Sequence, residues 1–281
     1  MVAARGHVPV GRPLRGRHRS DVRCADGAGR TSAPRTGAGS LGADMGSLAG
    51  TPGPTTSGLP AAVLWDFDGT LADSERYWIA EEYALVESFG GTWSHADAET
   101  IVGSDLLAAA AYIRDHGSVP LEPAQIVARL VAGVRGRLSE HVPWRAGVVE
   151  LRAQIAAAGI PQAMVTMSYA TVVDPVLTVL AAERMPGFDA VVTGEVVSRG
   201  KPDPEPYLTG AARLGVDPRA CVAIEDSRTG ATSAAAAGCA VLVTPNAVAV
   251  PDSPSWTVRP SLDGVQLADL AALLGERTAS A

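Results

Sequence analysis

The chain has 281 residues, enough for one ordinary domain or for a core with a smaller attached lobe, since domains run to roughly 100–200 residues. With 47% apolar and 19% charged residues it can bury a sizeable core, and no apolar run reaches the roughly 18 residues of a membrane-spanning segment. The net charge of −7 divides unevenly: residues 1–44 carry eight Arg against Asp21, Asp26 and Asp44, a balance of +5, so the remainder stands at −12 and argues against nucleic acid or any other polyanionic partner.

Residues 1–58 are dominated by Gly, Ala, Arg, Ser, Pro and Thr without apolar periodicity, so they cannot offset their chain entropy by burial and are expected to form a disordered tail. The Arg-rich start has the composition of a transit peptide but neither its amphipathic helix nor the apolar core of a secretory signal. The reading adopted is an upstream start codon, with Met45 as the true beginning. Cys24, Cys221 and Cys239 form no CxxC pair and no even-numbered disulfide framework, which suits a reducing cytoplasm and gives no zinc signal.

Ordered structure is expected from Ala61 to Trp65, a short apolar strand that stops abruptly at Asp66. Helical spacing follows over 74–89, ended by Gly90-Gly91, and then over about 97–116 and 122–140, with no strand alternation before Pro143. From there helices and strands alternate: a helix at about 146–158, a strand at 161–166, a helix at 171–182, a strand at 188–192, a helix at 204–214, a strand at 221–224, a helix at 229–237 and a strand at 240–243. Such alternation implies an α/β fold, a Rossmann-like parallel sheet with helices on both faces and ligands outside the carboxyl ends of its strands. The expected division is a core of residues 59–73 and 144–281, with the helical stretch 74–143 inserted after the first strand.

Four of those strand ends carry chemistry. Asp66-Phe67-Asp68-Gly69-Thr70 sets two carboxylates two residues apart before a glycine that permits a sharp turn. One carboxylate, Asp66, can attack phosphorus while Asp68 protonates the leaving alcohol and later activates water. Two acids so close need a cation, and Glu225-Asp226 at a later strand end offers further oxygen ligands for Mg²⁺. Thr166 and Ser168 offer hydroxyl donors to a phosphoryl group. Lys201, in Gly200-Lys201-Pro202-Asp203-Pro204, is the single lysine among 23 basic residues. A planar guanidinium fork is a poor substitute for a compact ammonium, so a single lysine in an otherwise Arg-only chain makes Lys201 a residue to watch. Gly69, Thr70, Met167 and Ser168 flank these groups as expected phosphate-binding neighbours.

Taken in order, these four motifs resemble the haloacid dehalogenase-like hydrolase superfamily, in particular its capped phosphatases and β-phosphoglucomutase-like members, over about residues 61–245. The resemblance implies Asp66 as nucleophile and metal ligand, and Asp68 as acid/base with its main-chain carbonyl on the metal. It further implies Thr166 as phosphate donor, Lys201 as charge stabiliser, Glu225 and Asp226 at Mg²⁺, and the helical insert as a cap that closes over the site and selects substrate. Asp68 argues against carbon–halogen cleavage, because true dehalogenases lack that second aspartate. Where β-phosphoglucomutase-like sequences carry a cap His, Lys and Arg, this chain has Trp78, Val102 and Leu106 around Gly103-Ser104, which weakens a mutase reading. The expectation is Mg²⁺-dependent hydrolysis of a small phosphorylated metabolite by a cytoplasmic protein with no membrane partner. A monomer is expected, although no residue pattern sets the oligomeric state. A sugar phosphomutase and a non-catalytic phospholigand-binding module are the alternatives.

Other polar residues are read plainly. His95, His116 and His141 are expected at the surface, Arg114, Arg129, Arg135 and Arg137 on a solvated helix face, and Trp65, Trp78, Trp93 and Trp144 in packing. Glu75, Arg76 and Trp78 stand close enough to the nucleophile loop to line its pocket.

Overall fold

The computed structural model describes residues 58–101 and 106–280. The expected tail up to residue 57 and the turn at Val102, Gly103 and Ser104 lie outside the described residues.

Six strands form one all-parallel sheet: β1 (Ala62–Trp65), β2 (Gln162–Val165), β3 (Ala190–Val192), β4 (Cys221–Glu225), β5 (Ala240–Val243) and β6 (Thr257–Val258), in the order β3-β2-β1-β4-β5-β6. The inner strands read as short continuous apolar runs because both faces are covered. In β1, Val63 and Trp65 point into one buried cluster and Ala62 and Leu64 into the other; β4 repeats this with Val222 and Ile224 against Cys221 and Ala223. Both Cys221 and Cys239 are buried, as expected of core residues.

Helices α1 (Glu75–Ser88), α2 (His95–Ile101), α3 (Leu106–His116) and α4 (Pro123–Glu140) intervene between β1 and α5 (Val148–Ala157). They enclose a third cluster built from Leu85, Val86, Trp93, Ile113, Ile126 and Leu130 among others, which makes the insert a cap with its own core. The start of α4 follows from sequence: Pro123 occupies the first turn, and Glu122 and Gln125 close a reciprocal capping box. The cap is not separate throughout, because Val134 and Leu138 at the far end of α4, and Val142 just beyond it, join the core cluster, and α4 packs against α6 (Ala170–Ala182). Helices α7 (Glu205–Leu214), α8 (Arg228–Ala237) and α9 (Leu267–Ser280) complete the covering layers.

Two expectations change. The stretch over 97–116 is described as two elements, α2 and α3, with residues 102–105 between them outside the described residues. The alternation also continues past Val243 into β6 and α9. A two-residue strand among prolines and serines has no period to detect, whereas Leu267, Leu270 and Leu274 do lie at helical spacing. His95 and His116 are exposed, the former paired with Glu99. Arg137 departs from a merely solvated role, bonding Glu81 at 2.5 Å.

Glu82, on α1, is buried in the cap, where its carboxylate accepts the Trp93 indole N–H at 3.2 Å. Burial raises its carboxyl from the ordinary value of 4.5 to about 7. A raised folded-state value stabilises the fold fully below the ordinary value and loses that contribution as pH rises through 7. Glu82→Gln keeps an acceptor for Trp93 and cannot ionise. Denaturant titrations are expected to show it matching wild type below about pH 4.5 and exceeding it above pH 7 by up to about 3 kcal/mol.

Candidate active site

Parallel pairing aligns the strand ends. Trp65 lies opposite Met164 on one side and Ile224 on the other, so Asp66, Thr166 and Glu225 emerge together at the carboxyl edge. The Asp66 N–H donates to the Ile224 carbonyl and the Thr166 N–H to Val192, which holds both residues in the ladder as the chains leave it.

Lys201 reaches this edge from the loop before α7. Its Nζ donates to Asp66 Oδ1 at 2.6 Å and to Glu225 Oε1 at 2.7 Å, with all three side chains buried. The Tyr207 hydroxyl donates to the same Glu225 oxygen at 2.6 Å, and the Ser227 hydroxyl donates to Oε2 at 3.2 Å. Glu225 also lies hard against α8, where a Cβ on Gly230 would stand 1.9 Å from its carboxylate oxygen, so only glycine fits there. Burial opposes charge on Lys201, but Asp66 and Glu225 outweigh it and hold the ammonium above its ordinary value.

One oxygen each of Asp66, Glu225 and Asp226 lies within 4.8 Å of the other two, the only such group of metal-ligating side chains among the described residues. Asp66 Oδ2 is buried without a hydrogen-bond partner. Burial, together with the neighbouring Glu225, pushes the Asp66 carboxyl up to about 7, and burial with Asp66 and Glu225 pushes Asp226 to about 9. An orphaned carboxylate oxygen amid acids that resist ionising together fits a hard divalent cation. Gly69, at φ +80, is part of this packing: a Cβ there would stand 2.0 Å from Asp226 Oδ2.

The Asp68 carboxylate is outside that group. Its Oδ1 accepts the Ser74 hydroxyl at 2.6 Å and its Oδ2 accepts Ser168 at 2.5 Å and Thr166 at 3.4 Å. Ser74 stands immediately before α1, so this bond ties the first cap residue to the acid. Thr166 Oγ1 also receives the Ser168 N–H at 3.0 Å. Met167 turns its sulfur to the Lys201 N–H at 3.3 Å, so its side chain seats the lysine loop. Thr70 is wholly buried with an unpartnered hydroxyl, inside the loop rather than at its surface.

Three contributors were not foreseen: Ser74, Tyr207 and Arg145. Arg145 donates to the carbonyls of Gly69, Thr244 (2.7 Å) and Pro245 (2.9 Å), partners 76 to 100 residues away, and main-chain acceptors leave no trace in sequence. Beside it the two cap linkers pair, Ala72 with Trp144, and a cleft of about 500 Å³ opens that is lined by Asp73, Arg76, Trp144, Arg145, Asn246 and Ser261. This cleft flanks the cap linkers, and Asp66, Glu225 and Asp226 are not among its lining residues. Of the residues expected near the pocket, Arg76 lines this cleft, Trp78 packs against both the core and the cap clusters, and Glu75 is partly buried within the field of Asp68, its carboxyl raised to about 7 chiefly by burial.

Residues 63–244 match the family profile of haloacid dehalogenase-like hydrolases. The chain belongs to that family. This hydrolase is 32% identical over 187 residues to hexitol phosphatase B of Escherichia coli strain K12, an alignment spanning 66% of the chain and 83% of that protein. It is 31% identical over 205 residues to protein CbbY of Rhodobacter capsulatus, spanning 66% and 85% respectively. The crystal structure of CbbY from Rhodobacter sphaeroides in complex with phosphate has the same fold, with a TM-score of 0.64 at 24% identity over 77% of this chain and 100% of that one.

Replacing Lys201 by Met leaves two buried carboxylates without their cation. Asp66 then holds its proton to higher pH, because the ammonium no longer opposes its burial, and stability that depends on a raised carboxyl is lost as pH rises. In metal-free buffer, Lys201→Met is expected to cost about 3–5 kcal/mol near pH 8 and clearly less near pH 5, read from chemical denaturation at the two values.

Proposed function

We propose that the hydrolase is a Mg²⁺-dependent phosphatase that cleaves a small phosphomonoester through an aspartyl-phosphate on Asp66. The observation that carries this reading is the division of the Asp66 carboxylate: one oxygen bonded to Lys201 at 2.6 Å, the other buried and unpartnered within the acidic group. The names of the relatives support a phosphoester substrate, and the acidic body beyond residue 44 supports a small metabolite rather than a polyanion. No helix among the described residues is long and apolar enough to cross a membrane. The reading includes action as a cytoplasmic monomer, without nucleic-acid or membrane partners.

In this mechanism a carboxylate oxygen of Asp66 forms a bond to phosphorus as the ester P–O bond breaks, and Asp68 transfers its proton to the departing alkoxide. Asp68, now a carboxylate, takes a proton from water; the water oxygen attacks phosphorus, the Asp66–phosphoryl bond breaks and phosphate leaves. Lys201 supplies positive charge to the phosphoryl oxygens, and the Thr166 and Ser168 hydroxyls, already on Asp68, lie at the same edge. Asp66, Asp226 and Glu225, with the main-chain carbonyl of Asp68, would hold Mg²⁺, which supplies charge neutralisation for attack by one anion on another. Gly69, Thr70 and Met167 contribute through loop shape and main-chain groups.

Relay of the proton through Asp68 gives the Ser74 bond a purpose, since the cap's first residue holds the acid whenever α1 is seated. Glu75, partly buried one residue on, stands ready for a hydroxyl of the leaving group.

Asp66→Asn is expected to reduce turnover of a generic aryl phosphate by at least about 10³-fold. Chelation is expected to silence the wild type and added Mg²⁺ to restore it. Retained turnover in Asp66→Asn excludes this nucleophile, and isomer interconversion that requires a bisphosphate primer replaces the phosphatase with a phosphomutase.

A further inference from the structure

Arg145 belongs to the cap's return linker, yet among the described residues its side-chain hydrogen bonds go to the core. Its N–H groups go to three main-chain carbonyls: Gly69 in the nucleophile loop, and Thr244 and Pro245 in the turn after β5. Its own N–H donates to Leu71, again in the nucleophile loop, at 3.0 Å. Gly69 is thereby held on both sides, its N–H by the Ala72 carbonyl at 2.8 Å and its carbonyl by the guanidinium. Pinning that residue fixes the peptide that carries the Asp68 carbonyl and keeps the loop packed against Asp226, where no Cβ has room.

Charge makes the arrangement selective. Arg145 is close enough to attract both Asp226 and Asp73, but among the described ion pairs it is bonded to neither. Engaged with carbonyls, the guanidinium cannot swing onto Asp226 and take the place of a cation. Only a planar fork with several fixed donors spans three carbonyls in this way, and a lysine at 145 would reach them one at a time.

We propose that Arg145 is a positioning residue that preforms the cation site, tying the nucleophile loop to the turn after β5 so that Asp66 and Asp226 face one another before metal enters. This rests on the metal-dependent reading above. It is tested without substrate by isothermal titration of Mg²⁺ into the metal-free full chain, comparing wild type, Arg145→Lys, Arg145→Ala and Asp226→Asn. Arg145→Lys keeps the charge and stem and guards against simple misfolding, which circular dichroism melts monitor. Both Arg145 variants are expected to bind Mg²⁺ about tenfold or more weakly, the usual cost of losing a partner one shell out from a metal. Turnover of Arg145→Lys is expected to recover as Mg²⁺ is raised, which a general loss of stability would not produce. Unchanged affinity in Arg145→Lys, or tighter binding in Arg145→Ala, overturns the proposal, the latter because the guanidinium would then act only by repelling the cation. A wild type with no Asp226-dependent binding overturns the metal reading itself, whereas Asp226-dependent binding that ignores both Arg145 variants overturns the strap alone.

Discussion

The site depends on one buried ammonium shared between two carboxylates. Lys201 Nζ lies 2.6 Å from Asp66 and 2.7 Å from Glu225, and it opposes the burial that raises the Asp66 carboxyl. Burying three charges is tolerable only because each is paired and the remaining acceptors are filled, by Tyr207 and Ser227 on Glu225. Asp66 is the exception, with Oδ2 left without a partner. That orphan lies within the acidic group and has the character of a binding position, and unrelieved repulsion among Asp66, Glu225 and Asp226 is what a divalent cation would relieve.

The surrounding fold keeps this cluster in register. Parallel pairing of β1 with β2 and β4 brings three strand ends level, and the close seats at Gly69 and Gly230 leave Asp226 and Glu225 no latitude to turn away. The cap connects through the same few residues. Ser74 gives up the usual helix-capping bond to reach Asp68, and Arg145, on the return linker, fastens the loop that carries both aspartates. Cap position and catalytic geometry are thus joined by two side chains, one on each linker.

Much of this was readable beforehand, for identifiable reasons. Asp66, Asp68, Lys201, Glu225 and Asp226 all stand at abrupt ends of apolar strands or in stiff proline-bracketed loops, where local chemistry and local structure coincide. The sole lysine was conspicuous against 22 arginines. Less was readable where a residue works through partners distant in sequence. Tyr207 looks like any aromatic on a helix face until α7 lays its hydroxyl on Glu225. Thr70 looks like a phosphate ligand until the loop buries it. The short β6 lacked the length over which periodicity speaks.

By itself the sequence determined the alternation of elements, the parallel α/β class, the helical insertion after β1 and the acids and lone cation at four strand ends, because those follow from local period and composition. Tertiary structure alone decided that Lys201 bridges Asp66 to Glu225, that Asp68 turns to hydroxyls instead of joining the acidic group, and that Arg145 straps two loops together. Those outcomes depend on distances between residues up to about 135 positions apart, set by strand register and helix packing, and no local pattern encodes them.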